Sequence, residues 1–567
     1  MNDNFKSFFL AITLSVLIVS LMNYFLPPAE EIAAPEVEVE APIENAIPEA
    51  KEPVALPVVE VLQKDARVKI KNDVVEGTIR LKGGRFDNLS LTKYKKTLDK
   101  NSENVELLAP AKTENPFFAE YGWLSTEKDI KLPDSNTVWE IESGDVLGKD
   151  TPLVLRWNNG QGLIFRQKIS LDENYLFTIK QMVENNTDKA VKLIPYALMS
   201  KYVDLAQHPQ GIVHEGLTAI VDGDLKEYSF KDLHEPKFDK KLAKGEQLPE
   251  DKNAQNFENT GGWVSLTEKY WFGAFIFPED YKTVVNARNV MKNVYQLDFK
   301  GETLEVPAKA CADVTSQFYA GAKEIKLLDK YAENIKKFDL AVDFGWYYFL
   351  TKPFFYILDF LYNLIGNMGW AILLFAFVLR ALMFPIANKS FDSMSKMKKI
   401  QPKVMALQAM YKDNKVALQQ ATMELYRREK VNPASGCLPM FIQIPIFFSL
   451  YKVLNISLEI RHAPFIGWIK DLSAPDPLTI SAWSGIHIPA LIDIGVWPII
   501  YGLTMYLQQK LNPAPANKDQ ARMFAMMPII FTIMFAHFAV GLVIYWTLSN
   551  ILSMMQQKLI MRKNGVK

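Results

Sequence analysis

A lone arginine inside a long apolar run is the most informative feature of this sequence. Arg380 lies within residues 366–385, a stretch of 20 residues that contains no other charged side chain. At about 1.5 Å per residue, this stretch can cross the hydrocarbon core of a bilayer as a helix. A charge at that depth costs several kcal/mol without water or a partner. Arg380 is therefore either a functional group that attracts acidic or polar segments, or a side chain that reaches the membrane surface near Lys389.

The other residue types form no pattern for catalysis or metal binding. The six histidines are scattered, and the sequence has no H-E-x-x-H pair, nucleophile elbow or P-loop. Cys311 and Cys437 fall in segments that we place on opposite sides of a membrane, and neither has the spacing of a metal site. We therefore expect no enzymatic activity, no catalytic residue, no metal and no cofactor.

The apolar residues are concentrated in segments of membrane-spanning length. The chain of 567 residues is too long for one domain, and its net charge of zero says little about partners. Residues 7–26 form the first apolar run. It is long for the apolar region of a signal peptide, so residues 1–26 are predicted to be a retained anchor rather than a cleaved signal. Five further spans are predicted near residues 366–386, 438–454, 491–507, 523–538 and 541–559.

A linker and a globular domain are predicted between the first two spans. Residues 27–61 are rich in Pro, Glu and Ala and cannot bury a core, so we expect a disordered acidic linker. Residues 62–340 contain short alternating segments with turn signals between them, including a hairpin signal at 158–162. This pattern favours a β-sandwich of many strands, closed by one amphipathic helix near 323–338.

Two further segments are predicted to be amphipathic helices rather than spans. Residues 346–364 are rich in aromatic side chains but contain Lys352, Pro353 and Asp359, so we expect a helix that lies at the membrane interface. A buried helix of the β-domain is the alternative. Residues 388–433 carry ten basic residues against four acidic ones and have a helical apolar stripe that is broken once, which predicts an antiparallel helical hairpin.

The distribution of basic residues predicts the orientation in the membrane. The hairpin 388–433, the loop after the fourth span and the C-terminal tail are basic, whereas the loop 456–490 has two basic residues against three acidic ones. Basic loops stay on the cytoplasmic side. We therefore expect both termini to be cytoplasmic, and the loop 456–490 and the large domain to lie on the other side.

These elements and several motifs resemble the YidC/Oxa/Alb family of membrane protein insertases in its Gram-negative form. The motifs are Arg380 itself, VNPASGCLP at 431–439, QIPI at 443–446, RHAPF at 461–465 and GLVIYW at 541–546. The resemblance is strong over about residues 345–562 and looser over 62–340. It implies a multi-span α-helical membrane protein of the bacterial inner membrane with a large periplasmic β-sandwich domain. Of its six transmembrane helices, five form the insertase core, within residues 366–562.

The resemblance also implies a hydrophilic groove in the core, which takes up polar segments of a substrate while the apolar helix of that substrate passes into lipid. Polar side chains in the spans suit such a groove, since each is costly when it faces lipid. Hydrogen bonding between helices is the alternative explanation for them. Gln508 and Thr547 belong to this polar set. The candidate groove residues are Arg380, Gln443, Ser449, Thr504, Tyr545, Trp546, Ser549 and Asn550.

A methionine-rich surface is the second candidate site. Methionine side chains are flexible and accept apolar partners of different shapes, so they suit a path along which a substrate helix slides into lipid. Ordinary packing against lipid explains them equally well on sequence alone. The resemblance implies an exit path formed by the spans at 438–454 and 523–538, which favours contact with substrate. The candidate slide residues are Phe447, Met526, Met527 and Met534.

The resemblance implies nascent membrane proteins as substrates and the Sec translocon with its accessory subunits as partners. A ribosome contact would use the basic cytoplasmic loops, which also suit anionic lipids, and no specific reading of nucleic acid is expected. Two other classes compete with this interpretation. One is a polytopic transporter or channel with a periplasmic binding domain, although no inverted repeat is visible in the sequence. The other is a membrane-anchored enzyme.

Overall fold

The computed structural model describes a domain of β-strands followed by a region of helices. The described residues are 47, 56–206, 213–234, 254–291, 293–411, 414–429, 431, 438–512 and 518–565. The predicted anchor at 1–26 and most of the predicted linker at 27–61 lie outside the described residues. The end of that linker range is described and contains a short helix, Val58–Leu62.

Two facing sheets form the β-domain, and twenty strands belong to them in the described part of the chain. One sheet has eleven strands in the order β14-β17-β18-β11-β5-β3-β2-β1-β7, with β19 beside β11 and β4 beside β3. The other has nine strands in the order β13-β12-β15-β16-β20-β10-β9-β8-β6. The strands β1 to β20 are Arg67–Lys71, Val75–Arg80, Arg85–Lys95, Asn104–Leu108, Phe117–Ser125, Glu140–Ser143, Val146–Leu147, Leu153–Asn158, Leu163–Leu171, Leu176–Asn185, Val191–Tyr202, Gly216–Val221, Asp224–Ser229, Ala254–Thr260, Trp263–Thr267, Trp271–Ile276, Lys282–Met291, Val294–Gly301, Leu304–Val306 and Ala310–Ala322.

Alternating burial explains why these strands form a sandwich. Every second residue of β9 is buried, as expected for a strand with one face on a core. Gln167 follows this alternation, and its buried amide donates to the Tyr121 carbonyl of the opposite sheet at 3.3 Å. Gln181 of β10 bonds to the Gly122 carbonyl in the same way at 2.9 Å. The predicted β-sandwich is therefore confirmed, and polar bonds as well as apolar packing join its two sheets.

The hairpin signal at 158–162 is also confirmed. Strands β8 and β9 pair antiparallel on either side of it. Gly160 and Gly162 have φ angles of 74° and 94°, a region that residues with a Cβ rarely adopt. The side-chain oxygen of Asn159 accepts hydrogen bonds from the backbone amides of Gln161 and Leu163 at 2.7 and 3.0 Å, which fixes the turn.

The part of the chain after the sandwich is helical. The helix predicted near 323–338 is shorter in the structure, Ile325–Tyr331, and is followed by a 3-10 turn at Phe338–Ala341. A second 3-10 turn lies at Ala490–Ile492. The α-helices α1 to α11 in the described residues are Val58–Leu62, Phe230–His234, Ile325–Tyr331, Tyr348–Ile365, Met368–Met410, Lys415–Arg428, Leu438–Ile456, Ile480–Ser484, Val496–Leu511, Lys518–Phe535 and Val540–Lys563.

Helix α4 covers the segment predicted to lie at the interface, and it is tied to the β-domain by charge. Lys352 contacts the carboxylates of Asp329 and Asp339 at 2.8 and 2.9 Å. On the other side of α4, Phe354 meets Phe375 of α5 edge to face, with 5.0 Å between ring centroids. Large apolar side chains on the remaining surface are exposed, as expected for a helix in contact with lipid. The most exposed of these are Phe349, Phe360 and Leu364.

A sharp turn joins α4 to α5. Gly366 ends α4 with a φ of 76°, a conformation that favours glycine. Asn367 then caps α5, since its side chain accepts a hydrogen bond from the backbone amide of Trp370 at 3.2 Å. The turn leaves the two helices packed side by side.

Helix α5 differs from the sequence prediction, which places a boundary between a span at 366–386 and a hairpin that begins at 388. The structure has one continuous helix of 43 residues, Met368–Met410. The polarity changes near residue 387, but the helical stripe continues through Phe391 and Met394, which are buried and pack with Ile560 of α11. Packing of this stripe therefore keeps the chain helical where its composition changes. The second hairpin helix is α6, and residues 412, 413, 430, 432 and 433 of the predicted hairpin lie outside the described part.

Charged contacts hold the β-domain on the helical region. The guanidinium of Arg461, in the loop after α7, donates to the Lys95 and Lys96 carbonyls of the β-domain at 2.8 and 3.3 Å. On the other side of the junction, the ammonium of Lys452 in α7 donates to the Asp343 carboxylate at 2.5 Å. These contacts fix the side of the helical region that faces the β-domain.

A buried lysine lies close to this junction. Lys323 follows β20 and is 2% exposed. Burial lowers the pKa of its ammonium to about 8, although carboxylates including Asp343 and Glu268 oppose this shift. Each of those two carboxylates has another basic partner, since Asp343 contacts Lys452 and Glu268 contacts Lys201 at 2.9 Å. The Lys323 charge therefore opposes folding at neutral pH, and neither acid depends on it.

We expect Lys323→Met to raise the melting temperature at pH 7, and the gain to disappear as the pH approaches 10.5. The pKa in the folded state, about 8, lies below the ordinary value of 10.5. Between these values the unfolded chain binds the additional proton, so the stability of the wild type rises with pH. Below pH 8 the penalty is complete, at roughly 3 kcal/mol. Melting of full-length wild type and variant from pH 7 to 10.5 measures this, and a difference that is constant with pH would contradict it.

Candidate functional site

A cavity with many polar groups opens between four helices. It has a volume of about 220 Å³ and lies between α5, α7, α9 and α11. Amides, hydroxyls and one guanidinium share its surface with a few apolar side chains. The lining residues are Arg380, Phe391, Met394, Gln443, Gln508, Asn512, Trp546, Ser549, Asn550 and Ser553.

Helix α11 contributes four of these residues from a single face. Trp546, Ser549, Asn550 and Ser553 are three or four positions apart, so they lie above one another along the helix. Helix α11 packs against both α5 and α9. The face that it turns to the cavity is therefore enclosed by its two neighbours.

Amide side chains attach α11 to these neighbours. Gln556 donates to the Phe384 carbonyl at 3.2 Å and to the Asn388 side-chain oxygen at 2.7 Å, both in α5. Asn550 donates to the Thr504 hydroxyl of α9 at 3.3 Å. Such bonds are favoured where polar groups have no water to meet outside the protein. They fix the position of the wall that α11 forms.

Arg380 projects from α5 into this cavity and is only partly exposed. Its Nε atom is buried and has no hydrogen-bond partner among the described residues. No carboxylate of the described residues lies within ion-pair distance of its guanidinium. A buried charge without a protein partner requires water or a ligand. The cavity is the place where either can reach Arg380.

An aromatic cluster closes one end of the cavity. Phe447 contacts Trp546 with 4.8 Å between ring centroids, and Phe535 contacts Trp546 at 5.1 Å. Tyr501 joins from α9, 5.0 Å from Phe535. Helix α11 begins at Val540, whose amide bonds to the loop that follows α7. The cluster therefore lies on the side of the β-domain, and the cavity continues towards the opposite end of the helices.

The predicted groove residues divide into three groups. Thr504 and Tyr545 lie behind the lining, where Thr504 accepts from Asn550, and the Tyr545 hydroxyl accepts from Gln443 at 3.5 Å. Ser449 is fully buried and does not line the cavity. The other five meet in the cavity, and they are Arg380, Gln443, Trp546, Ser549 and Asn550.

The structure adds lining residues that sequence analysis does not single out for this site. Ser553 follows Ser549 by one helical turn, a spacing that could have identified it. Phe391 and Met394 belong to the segment assigned to the hairpin, and they reach the cavity because α5 is continuous. Asn512 follows the end of α9 and has no comparable signal in the sequence.

The predicted slide residues lie outside the cavity. Met526 and Met534 are 54% and 40% exposed on α10, and Met527 is partly buried. Phe447 belongs instead to the aromatic cluster. The exposed surface of α10 therefore carries methionines, and Phe535 at the end of this helix belongs to the aromatic cluster.

One helix in the described part of the chain, α5, is both long and apolar enough to cross a membrane. Two shorter apolar helical segments, Phe441–Ile456 and Ala521–Phe535, lie within α7 and α10. The mean hydropathy of α5 is highest in the half that carries Arg380. The charge thus lies in the most clearly membrane-like helix that is described.

Two family models match the chain, and together they cover nearly all of it after residue 66. Residues 67–357 match the model described as the YidC periplasmic domain. Residues 360–567 match the model described as the 60Kd inner membrane protein. The boundary between the two models falls within α4.

Relatives with similar sequences extend over the whole chain. The membrane protein insertase YidC of Methylobacterium nodulans is 41% identical over 604 residues, covering 100% of this chain and 96% of its own length. The protein of the same name from Methylorubrum extorquens is 44% identical over 520 residues, covering 89% of this chain and 82% of its own. A crystal structure described as an active YidC insertase with its first transmembrane domain resolved is 16% identical, has a TM-score of 0.35, and covers 89% of this chain and 94% of its own. The chain therefore belongs to the YidC family of membrane protein insertases, proteins of the inner membrane with a periplasmic domain.

Proposed function

We propose that this insertase receives the polar segment of a nascent membrane protein in the cavity around Arg380, while the apolar helix of that substrate passes into lipid. The observation that carries the proposal is Arg380 itself, a cation in an apolar helix that has no anionic partner among the described residues. A group with unused hydrogen-bonding capacity in a polar cavity is suited to transient contact with a substrate. The process forms no covalent bond, so no catalytic residue or cofactor is assigned.

The physical role of the cavity is to lower the cost of bringing polar groups into the membrane. A charged side chain at the bilayer centre costs about 3 kcal/mol or more. Water and hydrogen-bonding groups replace part of its hydration in the cavity. The Arg380 charge favours acidic segments further, because attraction between opposite charges strengthens as the local dielectric constant falls. Thr504, Tyr545 and Ser449 support the cavity rather than touch the substrate.

The exposed surface of α10 suits the release of the substrate helix. Met526, Met527 and Met534 can adapt to apolar helices of different sequence. Phe447 supports this path from inside the aromatic cluster, so we assign it an indirect role. The closed end of the cavity prevents a continuous pore, which is consistent with insertion into lipid rather than transport across the membrane.

The proposed topology has six spans with both termini in the cytoplasm. The anchor 1–26, the linker 27–61, the β-domain 62–340 and the core 366–562 follow one another in this arrangement. The segment 388–433 is cytoplasmic, since its ten basic residues outnumber four acidic ones. That surface would attract anionic lipids and could meet a ribosome, and the Sec translocon is the expected partner for larger substrates.

We expect Arg380→Ala to slow insertion of an acidic substrate about tenfold, since one charge-assisted contact is lost. Arg380→Lys keeps the charge and should retain part of the activity. The measurement is insertion of a short two-span substrate into proteoliposomes, with Lys389→Ala as a matched loss of one cation from the same helix. The same loss with and without acidic residues in the substrate would contradict the charge mechanism, and full activity of Arg380→Ala would contradict any general role.

Ser549→Cys should react with a water-soluble maleimide in membranes, whereas Ile551→Cys should not. Thiols react as thiolates, which form in water and not in lipid. Ser549 lines the cavity, and Ile551 is 36% exposed on another face of the same helix. The two variants are compared in a protein with Cys311→Ser and Cys437→Ser. Equal labelling at both positions would show that the cavity is no wetter than its surroundings.

Deletion of about residues 62–320 should leave insertion largely intact, whereas deletion of 346–364 should abolish it. The cavity is formed entirely by helices after residue 366, and α4 contacts α5 directly through Phe354 and Phe375. Growth of a depletion strain carrying each deletion measures this, with membrane levels of both proteins as the control. Growth with the second deletion and none with the first would reverse the assigned roles.

A further inference from the structure

A second pocket lies at the junction between the β-domain and the helical region. Its volume is about 870 Å³, within the range of small-ligand sites. The edge strand β13 forms one wall, the segment before α4 forms another, and α7 forms the third. None of its lining residues belongs to the cavity around Arg380. The pocket is therefore separate from the proposed substrate site.

One end of the pocket is apolar and faces the membrane-exposed side of α7. Ile444 and Phe448 are one helical turn apart and are 42% and 45% exposed. The Phe448 ring stacks on Tyr347 with 6.4 Å between centroids. Trp346, at the rim, is 80% exposed. Tryptophan and tyrosine are enriched where a protein meets the lipid interface, so this end opens towards acyl chains.

The other end of the pocket is acidic. Lys452 lies one turn beyond Phe448 on α7, and its ammonium is held by the Asp343 carboxylate at 2.5 Å. Glu227, on β13, also lines this end, and its side-chain carboxylate makes no hydrogen bond with any other residue that the structure describes. Burial, with a contribution from Asp343, raises the pKa of the Glu227 carboxyl. Lys452 is paired with Asp343, and the buried Lys323 also acts on Glu227 from a distance. The Glu227 carboxylate itself has no ion-pair partner among the described residues, so it is available to the ammonium group of a ligand.

We propose that this pocket binds one phospholipid of the periplasmic leaflet whose headgroup carries a primary amine. The acyl chain lies along Ile444 and Phe448, and the headgroup ammonium donates to the Glu227 carboxylate. The two ends of the pocket match the two ends of such a lipid. The apolar wall on α7 suits the acyl chain, and the acidic end suits the ammonium of the headgroup. The bound lipid joins the two walls and seals the junction, which is a role beyond substrate insertion.

Native mass spectrometry of the full-length protein tests this, with phosphatidylethanolamine and phosphatidylglycerol of identical acyl chains as probes. Wild type should retain one phosphatidylethanolamine about fivefold better than phosphatidylglycerol, the ratio that one partly exposed ion pair gives. Glu227→Gln should reduce this preference to about one, since the charge is lost and the shape is kept. Equal retention by wild type, or an unchanged preference in Glu227→Gln, would overturn the amine assignment.

A bulky residue in the pocket tests its location. Leu225 lies two residues before Glu227 on β13 and lines the same pocket, so Leu225→Trp should remove the tightly held lipid. Val284→Trp is the matched control. Val284 and Leu225 are similarly exposed, at 43% and 40%, but Val284 lies on the other sheet of the β-domain and does not line the pocket. Unchanged lipid retention in Leu225→Trp would overturn the site. A photoreactive residue at position 225 that captures nascent substrate instead of lipid would overturn the assigned occupant.

Discussion

The rest of the helical region depends on one constraint, which is that polar side chains within a membrane must find their partners inside the protein. Helix α11 shows how this is met. Its amides bond to α5 through Gln556 and to α9 through Asn550, and its hydroxyls face a cavity shared with both. The polar groups thereby hold three helices together and form a polar surface between them. Arg380 has no anionic partner among the described residues. Its charge in the cavity therefore needs water or a ligand for stabilisation.

The β-sandwich could be predicted from sequence because strand alternation and turn residues act locally. The hairpin at 158–162 is an example, since its glycines and asparagine determine the turn without help from distant residues. The convergence of Arg380 with Asn550 was also expected, because polar groups on separate spans favour a shared interior. The absence of Ser449 from the cavity could also have been inferred from helical spacing, because Ser449 is six positions after Gln443 and so lies about 120° from it around α7. Which of the two side chains faces the cavity could not be predicted, since composition does not determine which way a helix is rotated.

The continuity of α5 was missed for a related reason. A change from apolar to polar residues indicates where a chain leaves the membrane, but it does not indicate where a helix ends. Burial of Phe391 and Met394 beside α11 favours the continuous helix, and such tertiary contacts cannot be read from local sequence patterns. The same contacts bring these two residues to the cavity. The β-domain is likewise positioned by distant contacts, in which Arg461 reaches carbonyl groups more than 360 positions earlier in the chain.

The unbroken course of α5 also has a mechanical consequence. A helix of 43 residues is about 65 Å long, which is roughly twice the thickness of the hydrocarbon core. The helix contains Pro385 and Pro402, and each proline removes one backbone hydrogen bond, so α5 can bend between the half that carries Arg380 and the half beyond it. Arg380 lines the cavity before Pro385, and Phe391 and Met394 line it after Pro385, so a bend at this proline changes the shape of the cavity.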